Sequence, residues 1–163
     1  MKYQLKKGKN IWYSFKMELG EDLGAKYYDS DLREVDPFRI KNPVDAARVF
    51  FAYLKYLIIK YCTENNISID ILYAVSIPAS FEANQRKDLL DALMANDMKV
   101  SKQALIDEPN AAFISYAVSR AAEDRPMFIS PDYNSKVLVF DFGGGTCDIS
   151  ILEIGQSANG FFS

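Results

Sequence analysis

Two hydrophobic periods run through this chain. Between residues 42 and 66 apolar side chains recur every three or four positions, at Ala46, Val49, Phe50, Tyr53, Leu54, Leu57, Ile58 and Tyr61. That spacing predicts an amphipathic helix of about six turns. Asn42 suits its cap, Pro43 its first helical position, and Asn65-Asn66 its end. Cys62, near that end, reads as a small core residue. Residues 70–77, Asp70-Ile-Leu-Tyr-Ala-Val-Ser-Ile77, are nearly all apolar and stop at Pro78, the pattern of a strand buried on both faces. Ser80 is the expected cap of a second helix, from Glu82 to about Asn96, with Leu89, Leu90, Leu93 and Met94 on its apolar face. A short strand at 104–107 and a third helix, opened by Pro109 and running to about Ala122, follow. Residues 125–135 contain two prolines and read as a connector.

From 136 to 154 the period falls to two. Val137, Val139 and Asp141 share one face, and Leu138, Phe140 and Phe142 the other. After Gly143-Gly144-Gly145 the alternation resumes, with Thr146, Asp148 and Ser150 opposite Cys147, Ile149 and Ile151. This is a β-hairpin with a glycine tip, and Gly160-Phe-Phe162 begins a further strand. The first 41 residues are the least regular. Residues 9–17 suggest a strand, 20–24 a turn, and 29–36 an exposed acidic stretch. Helix, strand, helix, strand, helix, hairpin is an α/β order with crossover connections. Two short strands are few for three helices, so the sheet looks incomplete unless residues 3–17 pair with 70–77.

Composition narrows the chemistry. The 163 residues are 49% hydrophobic and 25% charged, with a net charge of −3, as in a soluble globular protein. That charge gives no general attraction to nucleic acid or to an anionic membrane, and no apolar run is long enough to span one. Lys2, Lys6, Lys7, Lys9 and Lys16 are interleaved with Tyr3, Trp12, Tyr13 and Phe15, a mixture that binds single strands in some proteins. A solvated edge strand accounts for it more simply. Histidine is absent, which removes His-dependent triads and His-containing zinc sites. The two cysteines have no motif spacing and point to a reducing compartment, with the cytoplasm as the default.

The hairpin carries the strongest chemical signal. Each glycine costs roughly 0.5–1 kcal/mol relative to alanine, so three in a row forfeit about 2 kcal/mol where an ordinary turn needs one or two. Successive bare N–H groups form an anion nest, and Asp141 and Asp148 suit the Mg²⁺ that accompanies a polyphosphate. A flexible hairpin with solvated carboxylates has the same pattern. The chain has no Gly-x-x-x-x-Gly-Lys-Ser/Thr loop, and Asp148 stands where a dinucleotide fingerprint needs its last glycine. For Cys147 a buried hairpin cysteine is the expected reading, against a redox-sensitive thiol beside a phosphate nest.

Three blocks together resemble the 70-kilodalton heat-shock chaperones (the DnaK-like proteins) of the actin-like ATPase superfamily. They are Val75-Ser-Ile-Pro-Ala-Ser-Phe-Glu-Ala-Asn-Gln-Arg86, Ile106-Asp-Glu-Pro-Asn-Ala-Ala112, and Phe140-Asp-Phe-Gly-Gly-Gly-Thr-Cys-Asp-Ile-Ser-Ile-Leu-Glu-Ile154. Over residues 1–66 the resemblance rests mainly on Phe15-Lys-Met-Glu-Leu-Gly20. It implies an incomplete actin-like (ribonuclease H-like) fold, with part of the first lobe plus the opening β-hairpin of the second. Residues 1–124 would be first-lobe subdomain, 125–135 connector, and 136–163 the start of the second lobe. Gly143, Gly144, Gly145 and Thr146 would hold the β- and γ-phosphates of ATP, or the β-phosphate of ADP. Asp141 would position the water shell of Mg²⁺ or the attacking water, and Asp148 would help hold a cation, Mg²⁺ or K⁺. Glu108 would orient water or magnesium ligands, and Lys16 would offset developing charge. Phosphoryl transfer needs mainly positioning and electrostatics, so the lack of histidine is no obstacle. Pro78, Arg86 and Glu108 resemble the relay that reports nucleotide state to the substrate-binding part.

The implied whole is a stress-response chaperone that couples ATP hydrolysis to binding unfolded polypeptide, with a J-domain co-chaperone and a nucleotide exchange factor as partners. The family's first glycine hairpin and its later adenosine-binding segments have no counterpart in these residues, so this chain alone is expected to bind nucleotide weakly and not to turn it over. A filament-forming actin relative and a non-catalytic interaction module with the same fold are the rival readings.

Overall fold

The computed structural model describes residues 4–22, 28, 38–101, 104–123, 135–143, 147–157 and 160–162. They belong to two compact units, one drawn from residues 1–74 and 81–104, the other from 75–80 and 105–163. Among the described residues the architecture is mixed α/β with small sheets.

The first unit is built on α1 (Pro43–Glu64) and α2 (Ala83–Met94). Asn42 caps α1 as expected, its side-chain oxygen accepting from the Asp45 N–H at 2.8 Å. At the other end Asn66 takes a left-handed conformation (φ 55°). This lets the Ile67 N–H reach back to the Cys62 carbonyl (2.8 Å) and the Asn66 N–H to Thr63 (3.3 Å). The buried side of α1 is Pro43, Ala46, Ala47 and Cys62. Phe50, Tyr53, Leu57 and Tyr61, which share the expected apolar face, are exposed. Apolar residues occupy more of this helix than one neighbour can cover, and the small ones win the close contact. Polar clasps fix α1 to the end of α2: the Asn96 side-chain amide donates to the Arg48 and Ala92 carbonyls, both at 2.9 Å, and Lys55 donates to the Asn96 carbonyl at 2.6 Å.

Glu82, not Ser80, caps α2. Its carboxylate accepts from the backbone of Gln85, whose side chain accepts from the Glu82 N–H at 2.9 Å. This reciprocal box satisfies two orphan donors where a lone serine satisfies one. Leu89, Ala92 and Leu93 are buried, whereas Met94 is exposed.

Residues 9–17 are not a strand. Lys7 and Ile11 form an isolated bridge, Ser14 is left-handed (φ 58°), and Phe15–Glu18 wind into a 3-10 turn. A strand would put Phe15, Met17 and Leu19 on one face. The turn instead buries Leu19 and packs Phe15 against Tyr28, Ile40 and Ala46, while Met17 stays exposed. The Glu18 carboxylate accepts from both the Lys7 ammonium and the Tyr28 hydroxyl, and Lys7 lies 4.7 Å from the Tyr13 ring centroid. Part of the basic, aromatic N-terminal segment is thus engaged internally. The expected acidic stretch 29–36 lies outside the described residues, as does the end of the 20–24 turn.

The second unit begins with β1 (Val75–Ile77), paired in parallel with β2 (Leu105–Asp107) so that Ile77 stands beside Asp107. Of the strand expected over 70–77, only these last three residues form a ladder, and Leu72 is 96% exposed. β2 offers three partner residues, and no described residue of 3–17 pairs with β1. Helix α3 (Glu108–Ala122) springs directly from β2. Strands β3 (Ser135–Phe142), β4 (Cys147–Ser157) and β5 (Gly160–Phe162) form an antiparallel meander. Phe113 of α3 and Ile154 of β4 are buried against each other, with Val137 and Leu152 packed around them. The hairpin therefore alternates as its sequence does, with Leu138, Phe140, Phe142, Ile149 and Ile151 exposed. Cys147 falls on that outer face and is exposed, which corrects the expectation of a buried cysteine.

Gly20 joins the 3-10 turn to α2. Its backbone is left-handed (φ 78°), its N–H donates to the Asp88 carboxylate at 2.8 Å, and its carbonyl accepts from the Asn84 amide at 2.9 Å. A Cβ here would stand 2.7 Å from Gln85 Cγ and 2.8 Å from Asn84 Nδ2. Gly20→Ala is expected to cost at least ~1–2 kcal/mol, the left-handed penalty alone, read as a lowered urea midpoint with an unchanged slope.

Candidate phosphate and cation pocket

The second unit contains a pocket of about 450 Å³ whose walls come from four elements. Pro78, Ala79 and Ser80 follow β1; Glu108, Pro109 and Ala112 are the first turn and a half of α3; residues 139–141 and 148–150 belong to the hairpin. Two chain rules put them together. Parallel strands β1 and β2 end side by side, and the crevice beyond the carboxyl ends of parallel strands is where α/β proteins take ligands. A helix that starts there presents free N–H groups and the positive end of its dipole.

Asp141 and Asp148 are direct cross-strand partners in the hairpin register. Like charges placed opposite one another destabilise a ladder by up to about 1 kcal/mol, a cost that a bound cation would offset. Glu108 adds a third carboxylate to the same pocket. Pro78 is buried and both Ser80 and Ser150 supply hydroxyls. Among the described residues no three acidic, cysteine or histidine side chains converge closely enough to cage a metal. That donor set suits Mg²⁺, which keeps several waters and binds through one or two carboxylates plus substrate phosphate.

Of the residues singled out in the sequence, Glu108, Asp141, Asp148 and Pro78 line this pocket. Gly143 follows β3 at an exposed position; Gly144, Gly145 and Thr146 lie outside the described residues. Lys16, on the exposed side of the 3-10 turn, and Arg86, on α2, belong to the first unit. The Arg86 Nε donates to the Phe81 carbonyl at 2.9 Å. Sequence reasoning missed Ser80 as a pocket residue, having assigned it to a helix cap. Its place two residues after Pro78, at a strand end, was the available signal.

Comparison with known proteins gives the family. The Hsp70 protein family matches residues 42–162. A "Heat shock cognate HSP70 protein" from Trypanosoma brucei brucei is 36% identical over 143 residues, covering 87% of this chain and 18% of that protein. A "Chaperone protein DnaK" from Nitrosopumilus maritimus is 38% identical over 81 residues, and a "Chaperone protein DnaK 3" from Synechococcus is 39% identical over 83. Each of these two spans about half of this chain, which corresponds to 11% of the relative's length. The chain thus spans less than a fifth of these relatives, and its match to the family takes in β1, α2, β2, α3 and the whole hairpin. It belongs to the Hsp70 protein family.

Proposed function

We propose that this chain supplies part of the nucleotide-binding domain of an Hsp70-type chaperone, and that its second unit grips the phosphate end of Mg-ATP and Mg-ADP. The observation that carries this reading is the convergence of Glu108, Asp141 and Asp148 on one pocket beyond the carboxyl ends of two parallel strands. In fold terms the chain contributes part of the first lobe of an actin-like ATPase and the opening hairpin of the second.

The roles follow from charge and position. Asp141 and Asp148 hold a hydrated cation, and Mg²⁺ when bound neutralises the charge of the phosphates. Glu108 orients a water of that shell. The N–H groups of Gly143, Gly144 and Gly145 and the Thr146 hydroxyl receive phosphate oxygens, and Lys16 offsets charge that develops in the transition state. Pro78 and Glu108, on the pocket, and Arg86, at the start of α2, relay nucleotide state to the polypeptide-binding part of the complete chaperone. That complete protein hydrolyses ATP, binds unfolded polypeptide, and is served by a J-domain partner and an exchange factor. The chaperone names of the relatives favour this reading over a filament protein.

Three outcomes are expected. Calorimetric titration of Mg-ADP into this chain should give a Kd on the order of 1 mM, about −4 kcal/mol, and no heat with Asp141→Asn. A phosphate-release assay should show no turnover; measurable hydrolysis by the chain alone would contradict the proposal that it supplies only part of the catalytic cleft. Asp148→Asn should raise stability in metal-free buffer by roughly 0.2–1 kcal/mol, the relief of a like-charge cross-strand pair, and abolish the stabilisation that Mg²⁺ with ADP gives the parent sequence in thermal melts.

A further inference from the structure

The inner face of the β3–β4 hairpin changes character along its length. Away from the tip Val137 pairs with Leu152, and both pack with Ile154 on Phe113 of α3. Nearest the tip stand Asp141 and Asp148, and between the two comes the pair Val139 and Ser150. Ser150 is half-buried and lines the pocket, at a position where a β-branched apolar side chain would suit the strand better. Among the described residues neither its hydroxyl nor the Asp148 carboxylate has a hydrogen-bond partner. Resting on the cation reading above, we propose that Ser150 is a positioning residue. Its hydroxyl oxygen accepts a hydrogen bond from a water of the hydrated cation that Asp148 holds.

Spacing and donor chemistry both place a water between the two side chains. Ser150 and Asp148 are two residues apart on one strand face, so their Cβ atoms lie about 7 Å from each other. A carboxylate and a short hydroxyl at that separation meet through one water more readily than directly. The remaining side chains of the pocket are carboxylates, the Ser80 hydroxyl and apolar groups, with no lysine or arginine among the described residues. Mg²⁺ keeps several waters when one or two carboxylates bind it, and each of those waters has protons to place. Ser80 stands exposed on a turn, whereas the ladder fixes Ser150 at the foot of the acidic pair. Partners of this kind, beyond the ligands themselves, tune metal affinity.

Two variants of nearly equal shape separate the hydroxyl from the bulk of the side chain: Ser150→Thr keeps it and Ser150→Val does not. In amide-shift titrations of the ¹⁵N-labelled chain with Mg-ADP, Ser150→Val should show a Kd roughly three- to tenfold above that of the unsubstituted chain, the worth of one hydrogen bond, and Ser150→Thr a Kd within about twofold of it. In metal-free thermal melts Ser150→Val should be no less stable than Ser150→Thr, because valine suits a half-buried strand at least as well. A serine that served only the fold would show its loss in those melts and not in the Kd ratio. The same ratio between the variants is expected with cobalt(III) hexammine and ADP, since the inert ammine shell offers hydrogen bonds alone. Equal affinity of the two variants for Mg-ADP, with binding lost in Asp148→Asn, overturns the proposal and leaves the pocket reading intact. Mg-ADP binding that survives Asp148→Asn overturns both. A deficit of Ser150→Val with Mg-ADP that is absent with the cobalt complex also overturns the proposal, since the hydroxyl would then ligate the metal itself.

Discussion

The second unit depends on the packing of Phe113 against Ile154, because that contact decides which side of the hairpin looks inward. In a strand the side-chain period is two, so fixing Ile154 against α3 fixes Leu152, Ser150 and Asp148 on the same side, and through the register Val137, Val139 and Asp141. A slip of one residue would turn both carboxylates out and carry Phe140 and Ile149 in. The apolar contact far from the glycine tip is therefore what delivers charge to the pocket. The same constraint turns Leu138, Phe140, Phe142, Ile149 and Ile151 away from α3.

The first unit obeys a different constraint, the closure of backbone polar groups. α1 is capped by Asn42 and closed through Asn66, α2 is opened by a reciprocal Glu82–Gln85 box, and Asn96 bridges the two helices with its side-chain amide. Gly20 docks on α2 by both its N–H and its carbonyl. These bonds hold the turn that carries Lys16 to the helix that carries Arg86, so the two residues of the proposed machinery that lie in this unit share one frame.

Legibility varied with how local the deciding physics was. The Asn42-Pro43 start, the third helix after Glu108 and the alternation of 136–154 are local signals, and the structure follows them. The strand expected at 70–77 failed because a ladder needs a partner of equal length, which composition does not reveal; β2 supplies three residues. The strand expected at 9–17 failed because an i to i+4 apolar spacing fits a helical turn as well as a strand, and the exposure of Met17 shows which one formed. The aromatic stripe of α1 looked like core because hydrophobicity does not say how much neighbour is available to cover it. In the pocket, Asp141 and Asp148 could be read as a pair from the hairpin period alone. Their meeting with Glu108 could not, since it depends on where β2 ends relative to a hairpin some thirty residues further along the chain.

We propose that the crevice beyond β1 and β2, with the acidic hairpin beside it, holds a cation together with phosphate. Its most direct test is paramagnetic broadening in the ¹⁵N-labelled chain when Mn²⁺ and ADP are added together. Broadening is expected to centre on the amides of Ser80, Glu108, Asp141 and Asp148, to be absent from the Asp141→Asn variant and to be weak without ADP. Broadening that centres instead on other acidic surfaces, such as Glu64 or Asp88 and Asp91, or that is the same with and without nucleotide, would contradict it.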